Sequence, residues 1–177
     1  MAVKIVKNPR NNDLIDAEKE TLSYLHDTAP TKDLPVMEHI MLCHLDNFEI
    51  TQDGINKRGL VYPYMSKLVT VEDVINSYPN GIDIRDAAWM INRTLGALMI
   101  PFQADYVHGA VVPNNIFLDL PTHNGILIGW GFAVKTNTTL KAVSSKYKSF
   151  YPKEVFDKKT VDSGLDIYCL LYTSDAA

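Results

Sequence analysis

The chain has 177 residues, 46% of them apolar and 21% charged, which is the make-up of one folded domain or two small lobes and excludes disordered and fibrous classes. With 17 basic against 21 acidic residues the net charge is −4, which argues against nucleic acid or an anionic membrane as the main partner. No apolar run approaches the roughly 18 residues that a spanning helix needs, and the stretch from Ala97 to Phe102 is broken by Pro101.

Cys43 and Cys169 stand too far apart for a metal knuckle or redox pair and read as buried thiols of a reducing compartment. The first ten residues lack the apolar stretch of a secretion signal, so a cytoplasmic location is expected. Ala2 to Val6 alternates as a strand, with Ala2, Lys4 and Val6 on one face. Asn12 or Asp13 then caps a helix to about Leu25, on which Ile15, Leu22 and Leu25 form a stripe that also carries Glu18. A carboxylate on a buried stripe needs a cation, and Lys4 is the nearest. On these residues alone, however, the reading favoured for Glu18 is a wet position at the stripe's edge.

Residues 34–50 read as strand material that ends at the turn Gln52-Asp53-Gly54, and His39 and His44 within it read as satisfied structural histidines. A strand follows over Gly59 to Met65. Next comes a helix opened by the capping pair Thr70 and Asp73 and closed by Tyr78-Pro-Asn-Gly81. The spacing of Ala88, Ile91, Leu95, Leu98 and Phe102 predicts a long helix over 84–103 with that stripe in the core and a kink at Pro101. Two short strands, Ile116 to Leu118 and Ile126 to Ile128, are predicted to turn at Asn124-Gly125, with a final helix near Asp166. Strands early and helices late make an α+β chain in two lobes.

His108-Gly-Ala-Val-Val-Pro-Asn-Asn115 resembles the catalytic loop of the protein-kinase superfamily, His-Arg-Asp-Leu-x-x-x-Asn. Other landmarks follow the family's order. Ala2-Val3-Lys4 resembles the lysine strand, Glu18 the helix glutamate that pairs with it, and Leu60 to Met65 the hinge strand. Leu127-Ile-Gly-Trp-Gly131 stands in the place of Asp-Phe-Gly, Tyr151-Pro-Lys-Glu154 is similar to Ala-Pro-Glu, and Ser163 to Tyr168 is similar to the start of the large-lobe core helix.

The resemblance implies a two-lobed kinase-like fold, incomplete at both ends, with a small lobe over 1–65 and a large lobe over 66–169. Residues 170–177 are expected to be non-native, because they are similar to the adapter-derived tails of metagenomic reading frames. Such a piece is expected to be marginally stable alone. By the same resemblance, Lys4, Glu18, Tyr62, Tyr64, Met65 and Asn115 form a nucleotide site for ATP, in which Asn115 is the remaining, weak metal ligand. His108 and Trp130 are expected to pack, Asp166 to cap the loop's amides, and Glu154 to await an arginine from a later helix.

The departures bear on the chemistry. Ala110 stands for the catalytic aspartate, Gly129 for the metal-binding aspartate and Val112 for the loop lysine. Losing a general base alone costs about 10²- to 10⁴-fold in rate, and losing the metal ligand removes charge stabilisation as well. The expectation is a pseudokinase that binds ATP with little or no dependence on Mg²⁺, or binds a protein partner. The alternative is an atypical active serine/threonine kinase or small-molecule phosphotransferase, rescued by Asp105 or Asp119. A third reading, an unrelated α+β domain with accidental motifs, predicts that Lys4 and Glu18 are apart.

Overall fold

The first strand, β1 (Ala2–Ile5), is followed by α1 (Asn12–Thr28) and by a hairpin of β2 (Asp46–Gln52) and β3 (Ile55–Tyr62). These coordinates are a computed structural model that describes residues 1–30, 35, 37 and 40–175. β3 pairs antiparallel with both neighbours, giving the order β1-β3-β2. The hairpin closes at Asp53-Gly54, both at positive φ, as a two-residue turn requires.

The strand expected over 34–50 begins only at Asp46. Before it, Met37, Ile40 and Met41 are buried at three-to-four spacing, and the Met41 N–H donates to Met37 O at 2.8 Å, a helical bond rather than a ladder bond. His39 lies outside the described residues. β3 starts before Gly59 and stops at Tyr62 instead of Met65, since Pro63 has no N–H to continue the ladder.

A second sheet, in the order β4-β6-β7, contains β4 (Leu68–Thr70), β6 (Ile116–Asp119) and β7 (Asn124–Leu127). Against it pack α2 (Val71–Ser77), with the expected reciprocal Thr70–Asp73 cap, and α3 (Ile84–Gln103). The buried residues of α3 are Met90, Thr94, Ala97, Leu98, Ile100 and Pro101, while Ala88 is exposed and Ile91, Leu95 and Phe102 are only half-buried. The predicted stripe is therefore rotated from the true one. Thr94 belongs to the core because its hydroxyl donates to Met90 O at 2.9 Å.

Asn124 and Gly125 are not the hairpin turn but lie within β7, and residues 120–123 turn instead. The glycine serves packing: a Cβ there would sit 2.8 Å from the Cβ of Arg93 on α3. A small ladder joins β5 (Tyr106–Val107) to β8 (Val134–Lys135). After α4 (Lys153–Phe156) the last helix, α5 (Gly164–Asp175), runs on through 170–175. There Leu170 is buried, and Thr173 donates its hydroxyl to Val111 O at 3.1 Å.

The core is continuous. Leu22 and Leu25 of α1 and Leu60 of β3 belong to the same buried cluster as Leu98, Ile116, Leu127, Trp130 and Cys169. Among the described residues no helix is long and apolar enough to cross a membrane.

Candidate functional site

Between the two sheets opens a cleft of about 510 Å³, bounded by β1, α1, the end of β3, the 63–67 connection, β4, β6 and Ile128. Lys4 projects into it from β1 and Glu18 meets it from α1, forming a hydrogen-bonded ion pair. Glu18 is not the wet edge residue favoured from the stripe. Its side chain is 3% exposed, while that of Lys4 is 39% exposed. A second donor accounts for the burial: the Tyr62 hydroxyl reaches the other carboxylate oxygen at 2.7 Å. A buried carboxylate with two such partners escapes the several-kcal/mol penalty of an unpaired one. Burial and the Glu18 charge push the Tyr62 phenol upward, so it stays protonated and donates.

Tyr62 therefore works through its side chain, a role that the hinge reading of the sequence missed. Tyr64 stands 71% exposed at the cleft rim and Met65 is half-buried in its wall. Among the described residues no hydrogen bond takes up the N–H of Tyr64 or of Met65. Leu42, Lys67, Phe117 and Ile128 also line the cleft and were not singled out from the sequence. The alternation of β6 was the available signal, since it turns Phe117 away from buried Ile116 and Leu118.

None of the residues 108–115 lines the cleft, and Ala110, Val111 and Val112 are fully buried. His108 accepts the Ala110 N–H on Nδ1 at 3.3 Å and donates from Nε2 to Ile128 O at 3.0 Å, a pattern that only the neutral imidazole satisfies. Burial pulls its pKa down to about 4. Trp130 packs edge-on against it with ring centres 4.6 Å apart and donates Nε1 to Leu127 O at 3.1 Å. Asp166, from the first turn of α5, accepts the N–H groups of His108 and Gly109 at 2.7 and 2.8 Å. Its burial raises the carboxyl pKa to about 7 against the pull of those two bonds.

Asn115 is buried and donates Nδ2 to Ala110 O at 3.0 Å. It also occupies the space beside Gly129, whose φ is +85° and whose hypothetical Cβ would lie 2.8 to 3.0 Å from the Asn115 amide atoms. Any side chain at 129 would thus collide with Asn115 and strain the backbone. The two acids considered for rescue do not reach the cleft. Asp105 lines a separate hollow with Tyr24 and Gln103, and Asp119 accepts from the Thr122 hydroxyl beside the 120–123 turn. Among the described residues no group of three His, Cys, Asp or Glu side chains is arranged to hold a metal.

Two other expectations meet a mixed outcome. Nδ1 of half-buried His44 has no hydrogen-bond partner among the described residues, so this histidine is not the satisfied one expected. Glu154 is exposed on α4.

No protein-family model matches the chain, and no curated protein matches it. Among solved structures it is similar to the kinase PK-1 of Cydia pomonella granulovirus, with a TM-score of 0.67 and 13% identity, over 98% of this chain and 57% of that one. The likeness shows a kinase-like fold. The chain spans little more than half the length of that kinase.

Proposed function

We propose that this chain is a degraded kinase-like domain that holds an adenine nucleotide in its cleft and does not transfer the phosphoryl group. In this reading residues 1–65 and 66–169 are the two lobes around the cleft, and the domain serves as a nucleotide- or protein-binding module. The cleft suits the nucleotide itself. Ala2, Val3, Leu68 and Phe117 offer apolar walls for a base, the free N–H groups beyond Pro63 offer edge contacts, and Lys4 and Lys67 offer cations for phosphates.

It does not suit a divalent cation held by the usual carboxylate. The observation that carries the reading is the contact between Gly129 and Asn115, because the space for a metal-binding side chain is taken by an amide that is itself spent on Ala110 O. When present, the metal of a phosphoryl-transfer site neutralises developing charge on the phosphate oxygens. Here Ala110 offers no acceptor for a hydroxyl proton, and Lys4, already paired with Glu18, is left to bind and orient.

The test is thermal unfolding of the chain with ATP, in Mg²⁺ and in EDTA. Equal stabilisation is expected in both, about 2.7 kcal/mol at a hundredfold excess over Kd, and Lys4→Ala should weaken ATP more than adenosine. Transfer of labelled γ-phosphate to protein or small acceptors, abolished by Lys4→Ala, would overturn the reading. So would stabilisation that appears only with Mg²⁺.

A further inference from the structure

Charge is spread unevenly along this chain. Residues 135–159 contain seven lysines, no arginine and two acids, a net of +5, while the remaining residues, with 10 basic and 19 acidic, carry −9. The basic stretch begins in β8, passes through a short 3₁₀ segment over Ser145–Phe150 and ends just beyond α4.

Its backbone is anchored. β8 pairs with β5, the Asn137 N–H donates to Val161 O at 2.8 Å, and the Val161 N–H donates to Thr138 O at 2.9 Å. Buried side chains recur along it, namely Leu140, Tyr147, Tyr151 and Val155. The Tyr147 hydroxyl donates to Glu72 of α2, and the Ser144 N–H donates to the Tyr151 hydroxyl at 3.2 Å. All seven lysines are exposed between these anchors: Lys141 follows Leu140, Lys146 and Lys148 flank Tyr147, and Lys153 stands between Tyr151 and Val155. The antiparallel bridge of Thr138 with Val161 turns Lys159 and Lys158 back along Leu140 and Lys141. Among the described residues only Lys146 of the seven has a carboxylate within salt-bridge reach, that of Glu72. Lys135 lies over the Tyr24 ring instead, 5.5 Å from its centre.

Exposed like charges on an anchored backbone raise the local potential and draw in anions. The opposite sign elsewhere limits the size of the anion. A nucleic acid or membrane surface that extends past the stretch meets the −9 of the remaining residues, whereas a short acidic segment does not. Lysine without arginine also suits single carboxylates rather than the bidentate hold on phosphates. We infer that residues 135–159 dock a short acidic segment of a partner protein, its Asp and Glu side chains against Lys141, Lys148, Lys153, Lys158 and Lys159. The inference lies outside the cleft and does not depend on nucleotide binding there.

The probe is a fluorescein-labelled synthetic peptide of alternating Glu and Ser residues, titrated with the full chain and followed by anisotropy. Saturable binding is expected, weakening as salt is added. It should fall about tenfold or more in the double variant Lys148→Glu/Lys153→Glu and, separately, in Lys158→Glu/Lys159→Glu. These four residues are exposed, and unchanged melting curves would verify that both variants fold. The matched double variant Lys7→Glu/Lys57→Glu changes the net charge equally and should bind within about twofold of the unaltered chain. Absence of peptide binding, or an equal loss in the Lys7/Lys57 variant, would overturn the proposal. Binding of a single-stranded oligonucleotide or of phosphatidylserine vesicles as tightly as the peptide would overturn it too, because the anion would then not be an acidic protein segment.

Discussion

At the scale of single residues, the positions that set this chain apart are closed as well as substituted. Ala110 is fully buried and Gly129 is pressed against Asn115, so restoring carboxylates there should not restore a site. Gly129→Asp forces a branched side chain into left-handed backbone and is expected to cost about 1–3 kcal/mol. Ala110→Asp puts a carboxylate at a fully buried position and should cost about 3–5 kcal/mol. Denaturant midpoints of the two single variants check both numbers. Wild-type stability in either would mean that the pocket has room for an acid, and the non-catalytic reading would lose its structural support. Lys4 and Glu18 show the opposite case, because their contact excludes the reading in which they lie apart.

At the scale of elements, the loop 108–115 is held by α5 through Asp166, and its pH response follows from two opposed shifts. His108 is depressed to about 4 from 6.5, so its contribution to stability is full above pH 6.5 and lost as pH falls toward 4. Asp166 is raised to about 7 from 3.8, so its contribution is present at low pH and lost as pH rises through 7. Between pH 4 and 6.5 unfolding releases the Asp166 proton and charges His108, and the two cancel. Asp166→Asn removes one side of that balance. Relative to wild type, the variant should then lose about 1.4 kcal/mol of stability per pH unit as pH falls through the window, measured by urea unfolding. Parallel pH profiles for the two proteins would refute the assignment.

At the scale of the whole molecule, one buried cluster joins both sheets, and Trp130 sits 1% exposed within it. Far-UV circular dichroism and tryptophan fluorescence should therefore report one coincident, cooperative unfolding transition. Two separated transitions would show that the sheets unfold apart. The same experiment bears on the expectation of marginal stability, since a sharp and reversible melt counts against it. The β4-β6-β7 sheet also walls the cleft, with Leu68 and Phe117 on the cleft face and Val69 and Leu118 on the other.

Local rules were enough for the Thr70–Asp73 cap, the long helix over 84–103, the Asp53-Gly54 turn, the order of kinase-like landmarks, and the absence of carboxylates at 110 and 129. These are matters of spacing and side-chain chemistry, which survive without a partner element. Tertiary structure alone decided which face of α3 is buried and that Asn124-Gly125 is strand rather than turn. It also decided that Glu18 is dry because Tyr62 and Lys4 both reach it, and that Asn115 fills the space beside Gly129. Each of these depends on atoms brought together from distant parts of the chain, and no periodicity within one segment reports what lies across from it.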